Sequence, residues 1–142
     1  MIRDFAKNVV TLEASCQGQA LEVTKLDKSR WQCAPCDGVV EIRYQVYAWD
    51  LSVRTAHLDQ SHGYFNGSSV FLRVHGRERE PCLVDIQPPG EAVFGQWRVA
   101  TGMPRDGAER YGFGRYRAED YEALVDYPVE MADWTLASFE VA

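Results

Sequence analysis

"VVEIRYQV", residues 39–46, reads with a period of two. Val40, Ile42, Tyr44 and Val46 fall on one side, and Glu41, Arg43 and Gln45 on the other. A helix would gather its apolar residues every third or fourth position. This alternation instead marks an antiparallel strand with one face on a core and the other in water. Just beyond it the phase changes, and Tyr47, Trp49, Leu51 and Val53 become the apolar set. A bulge, or a strand passing between sheet environments, would produce that change.

Outward from this run the strand signals continue at "NVVTLEA" (8–14), "ALEVTKL" (20–26), "SVFLRVHG" (69–76), "CLVDIQ" (82–87) and "WRVAT" (97–101). Turn-forming stretches such as "CQGQ", "QPPG" and "MPRDG" separate them. The spacing suits an all-β, antiparallel β-sandwich-like domain better than alternating βαβ units. One short helix is expected near 118–127. Glu119, Asp120 and Glu122 open it, Tyr121, Leu124 and Val125 form its stripe, and Pro128 ends it.

The 142 residues fit a single domain over 1–142. A net charge of −6 without a Lys/Arg-rich run argues against a nucleic-acid or anionic-membrane partner. No run is apolar enough to span a bilayer, and the start does not read as a secretory leader, so a cytoplasmic location is expected. Strand-like sequence at "FAKNVV" and "ASFEVA" suggests a piece truncated at both ends. A domain of this size does not need disulfides, so Cys16, Cys33, Cys36 and Cys82 are expected as reduced, packed thiols.

The motifs give little chemistry. Cys33-Ala-Pro-Cys36 could be a redox pair or half a zinc site. It lacks both a following helix and a second ligand pair, so a turn is preferred. His57, Asp59 and His62 could gather into a metal or catalytic cluster. They lack the i, i+4 spacing of helical ligands, and a solvated loop without metal is expected. The chain has no HExxH, GxSxG or P-loop, and so no catalytic residue is assigned. In "GYFNGSSVFLRV" (63–74), Asn66-Gly67 reads as a tight turn feeding a strand, with Tyr64 and Phe65 just before it.

Five stretches together resemble one family: "IRDFAKNV" (2–9), "KLDKSRW" (25–31), "YQVYAWDLSVRTAHLDQSHGYFNGSSVFLRV" (44–74), "WRVATGMPR" (97–105) and "FGRYRAEDYEALVDYPVEM" (113–131). They look like the N-terminal domain of bacterial glycyl aminopeptidases, which are zinc metallopeptidases with a thermolysin-like catalytic domain and a PDZ domain. The resemblance implies a non-catalytic β-domain, with HExxH and the zinc in a catalytic domain outside this chain. No cofactor is therefore expected in the chain itself. Its expected partners are that catalytic domain and a peptide substrate. In related aminopeptidases the N-terminal domain covers the cleft and receives the substrate's free N-terminus. Asp59, His62, Tyr64, Phe65, Asn66 and Gly67 are the candidates for that substrate-facing or interdomain surface, with Asp59 or Asn66 accepting from an ammonium group. The alternatives are a free-standing β-sandwich binding module for peptide or carbohydrate, and a small zinc or thiol-redox protein using Cys33 and Cys36.

Overall fold

Alternating side chains become paired strands wherever a partner lies close in the chain. In the computed structural model, which describes residues 4–90 and 92–140, the chain divides into two compact units, Met1–Trp49 and Asp50–Ala142. The first begins with a 3-10 turn, Phe5–Asn8, where a strand was expected. Strands β1 (Val9–Cys16), β2 (Gln19–Leu21), β3 (Val23–Lys25), β4 (Trp31–Cys33) and β5 (Val40–Val46) follow. β1 lies between β2 and β5, and β3 pairs with β4. The β1–β2 turn is tight because Gln17 and Gly18 both adopt positive φ, 51° and 79°, which matches the twist of a two-residue hairpin loop.

β5 keeps its alternation, but with less burial than the sequence suggested. Ile42, Tyr44 and Val46 are half-buried, Glu41, Arg43 and Gln45 are exposed, and Val40 is exposed as well. The phase change at Tyr47 is neither a bulge in this strand nor a change of sheet. β5 stops at Val46, and Tyr47, Trp49, Leu51 and Val53 are exposed. The irregularity sits on the partner strand, between Val9 and Thr11.

The cysteine expectation is overturned. Cys16 and Cys36 form a disulfide with Cα atoms 6.4 Å apart, leaving Cys33 and Cys82 as half-buried thiols. The pairing of Cys16 with Val40 brings the end of β1 beside the segment leading into β5, which carries Cys36. A separation of 20 residues gives no hint of that neighbourhood.

The second unit holds β6 (Ala56–Leu58), β7 (His62–Phe65), α1 (Gly67–Val70), β8 (Cys82–Ile86), β9 (Arg98–Thr101), β10 (Gly114–Ala118), α2 (Tyr121–Val125) and β11 (Val129–Ala132). One sheet has the order β6-β7-β11-β9, and β8 pairs with β10. Every strand pairing among the described residues is antiparallel, and the fold is all-β with a few short helices. The core of this unit draws on both sheets and on α2: Val99 and Val129 from one, Ile86, Tyr116 and Ala118 from the other, and Leu124 from the helix. The helix expected near 118–127 is α2, opened by the Asp120 side chain accepting from the Ala123 amide at 2.9 Å.

The strand expected at 69–76 is absent. Asn66-Gly67 does not turn into a strand; it opens α1. The Asn66 side chain accepts from the Ser68 amide at 3.1 Å, and the Ser69 hydroxyl donates to the Asn66 carbonyl at 2.7 Å. Glycine is required at 67 by proximity. A Cβ there would lie 2.8 Å from the Val125 Cα and 2.9 Å from the Leu124 carbonyl oxygen. At the other end, residues 137–140 of the strand-like "ASFEVA" carry no strand, and its last two positions, 141–142, lie outside the described residues.

Gly67→Ala is expected to cost about 1–3 kcal/mol in denaturant unfolding, because backbone must move to admit the methyl group. Gly63→Ala should cost clearly less, since its nearest neighbours are the ends of the Leu58 and Met131 side chains. Equal costs at the two sites would refute the close-approach explanation. Cys16→Ser, by removing a cross-link over a 20-residue separation, should lower stability by about 2–4 kcal/mol. An unchanged unfolding midpoint would count against it.

Candidate functional site

The β6–β7 hairpin turns in two residues. His57 pairs with Tyr64 and Leu58 with Gly63, and the Asp59 amide donates to the His62 carbonyl at 3.0 Å, leaving Gln60 and Ser61 at the tip. The period-two rule then sorts the side chains. Ala56, Leu58, Gly63 and Phe65 share a face with Val129, Met131 and Val99, which belong to or pack on the core. His57, Asp59, His62 and Tyr64 share the opposite face with Glu130 and Arg98.

Asp59 organises the tip. Its Oδ1 accepts from the Ser61 amide at 2.7 Å, the Ser61 hydroxyl at 2.7 Å and the His62 amide at 3.1 Å. Its Oδ2 lies 3.1 Å from the Nε2 of His57. The Ser61 hydroxyl, then His57, then the two backbone amides hold its carboxyl well below the usual carboxylate range. His57 is buried, and its ring stacks on that of His62 with centroids 5.1 Å apart and planes 25° from parallel. One ligand atom from each of His57, Asp59 and His62 lies within 4.8 Å of the other two. Across the sheet, burial pushes the Glu130 carboxyl up, opposed by the charge of His62. At the far edge the Arg98 guanidinium lies 4.1 Å over the Trp134 ring and donates to the Trp134 carbonyl.

The six candidate residues do not form one surface. Asp59 and His62 meet at the tip, together with His57. Tyr64 is on their face, half-buried, with its hydroxyl donating to the Val53 carbonyl at 2.9 Å. Phe65 points the other way, packs against the core and meets Phe71 edge-on at 5.6 Å. Asn66 and Gly67 start α1. Nor is 59–67 a loop, since β7 occupies its middle. Glu130, Arg98 and Trp134 were missed, because neighbours so remote in sequence leave no local signal.

Residues 1–133 match the family described as the Peptidase M61 N-terminal domain. Among solved structures, the chain is similar to an aminopeptidase N family protein from Idiomarina loihiensis, at 44% identity and a TM-score of 0.93. That match covers 99% of this chain and 24% of the other, so this chain spans about a quarter of that protein's length. No curated protein matches the chain.

A lowered carboxyl pKa stabilises the fold above the unfolded-state value, about 3.9 for aspartate, and that contribution is lost as pH falls toward the folded-state value. Asp59→Asn should therefore flatten the acid side of the stability profile, with thermal unfolding followed from about pH 6 to about pH 2.5. Parallel acid limbs in the two proteins would show that the Asp59 network contributes nothing.

Proposed function

This chain belongs to the Peptidase M61 N-terminal domain family, and from that premise we propose that it is the non-catalytic β-domain of a zinc metalloaminopeptidase. In this reading it acts as a scaffold and as one wall of the substrate cleft. The family match over residues 1–133 carries the proposal. The neighbour's much longer chain supports it, since this chain corresponds to one part of a larger protein. The sequence contains no HExxH, so the zinc and the general base of such an enzyme would reside in a catalytic domain outside this chain. Peptides with an N-terminal glycine or another small residue are the proposed substrates, as in the bacterial glycyl aminopeptidases with a PDZ domain.

The polar face of the β6-β7-β11-β9 sheet is the part that fits a cleft wall. It carries an ionised Asp59 at the hairpin tip and, on the same face, Tyr64 paired with Glu130, polar groups of the kind that receive an ammonium group. Phe65 and Gly67 are committed to packing and are set aside. As for location, no described helix is long and apolar enough to cross a membrane. The Cys16–Cys36 disulfide favours an oxidising compartment over the cytoplasm expected from the sequence.

In the full-length enzyme, Tyr64→Ala should lower kcat/KM for glycyl peptides by about tenfold, or roughly 1.4 kcal/mol, mostly through KM. Tyr64→Phe should retain most of the activity, and the isolated chain should hydrolyse no peptide. Normal kinetics in a stable Tyr64→Ala enzyme would remove this face from the substrate site.

A further inference from the structure

We propose that His57, Asp59 and His62 form a binding site for a single borderline divalent metal ion of the zinc, cobalt, nickel and copper class. The inference stands on the hairpin geometry and does not rest on the peptidase reading. Two imidazoles and one carboxylate are the donor set that such ions favour, whereas calcium and magnesium call for more oxygen ligands. The three ligand atoms already lie within 4.8 Å of one another. Ligands bonded at about 2.0–2.2 Å to one ion stand about 3–3.5 Å apart. The 3.1 Å between His57 Nε2 and Asp59 Oδ2 meets that spacing, and the His62 ring, whose Nδ1 lies 3.7 Å from Asp59 Oδ1, would turn to complete it.

The tip is also built as a metal site's outer shell is built. Three donors hold Asp59 Oδ1, which leaves Oδ2 directed at His57. The two-residue turn puts all three side chains on one face of a rigid hairpin, so binding requires no backbone rearrangement. The His57 side chain is 10% exposed, while those of His62 and Asp59 are 25% and 32% exposed. The ligands are thus sheltered on one side and reachable from solvent on the other. The ion would take the place of the hydrogen bond between His57 Nε2 and Asp59 Oδ2, with the His57 ring proton on Nδ1, and would keep water in its remaining positions.

The test uses the 142-residue chain, stripped with EDTA and titrated with Zn²⁺ by calorimetry and with Co²⁺ by absorbance. One saturable equivalent of each is expected, with no competition from Mg²⁺. His62→Gln and Asp59→Asn should each weaken binding at least ~10-fold, and His75→Gln should leave it unchanged. His57→Gln removes a buried ring and could unfold the hairpin, so His62→Gln, checked by circular dichroism, carries the test. Imidazole resonances of His57 and His62, and not of His75, should shift with the first equivalent of Zn²⁺. Absence of saturable binding, or binding that survives His62→Gln and is lost in His75→Gln, would overturn the proposal.

Discussion

The Asp59 carboxylate, clamped by Ser61 and the His62 amide, fixes the register on which the second unit depends. A one-residue slip of β6 on β7 would turn His57 and Asp59 toward the core side and carry Ala56 and Leu58 to the polar face. The penalty for burying those polar groups far exceeds anything that a surface turn contributes by itself. The local turn and the global core thus specify the same pairing. β11 then inherits its register from β7, and β9 inherits from β11.

The same economy explains Gly67. A glycine after asparagine ordinarily signals positive φ in a hairpin, and here that inference fails. Asn66 is in ordinary extended backbone at φ −90°, and its side chain is occupied as a helix cap. What the site demands of residue 67 is the absence of a Cβ, so that α1 can lie against the backbone of α2. Tyr121, the first residue of α2, reaches back to donate to the Phe71 carbonyl at 2.9 Å, just beyond the end of α1. The 66–71 segment is therefore held by tertiary contacts rather than by ladder hydrogen bonds. This is why alternating apolar residues at Val70, Leu72 and Val74 did not make a strand.

The β character of the chain was legible because period-two patterns at 8–14, 40–46, 82–87 and 97–101 each coincide with a strand. Short strands without such a pattern, at His62–Phe65 and Val129–Ala132, were not. Their identity as strands is conferred by the neighbours on either side. The candidate site was legible at Asp59 and His62, whose residue types carry chemistry wherever they fall. Its partition between two faces was not legible, because that depends on knowing that Tyr64 and Phe65 are consecutive strand residues. The resemblance carried by Tyr44–Val74 pointed to this segment without separating its two faces.

The cysteines show how an argument can be sound and yet be applied to the wrong length. A 142-residue domain can bury a core large enough to fold without cross-links. The first compact unit, however, ends at Trp49. Among its described residues Ala14 is the only fully buried apolar side chain, while all the others of that class lie in the second unit. A unit of that size is in the range where small domains draw on staples. β1 and β5 supply a long ladder, but their inner face, Ile42, Tyr44 and Val46, is only half-covered. Closing Cys16 onto Cys36 restricts the unfolded chain in the part of the molecule whose hydrophobic burial contributes least. The disulfide therefore lies where the unit's own physics calls for it, and whole-chain length was the wrong quantity from which to judge the need.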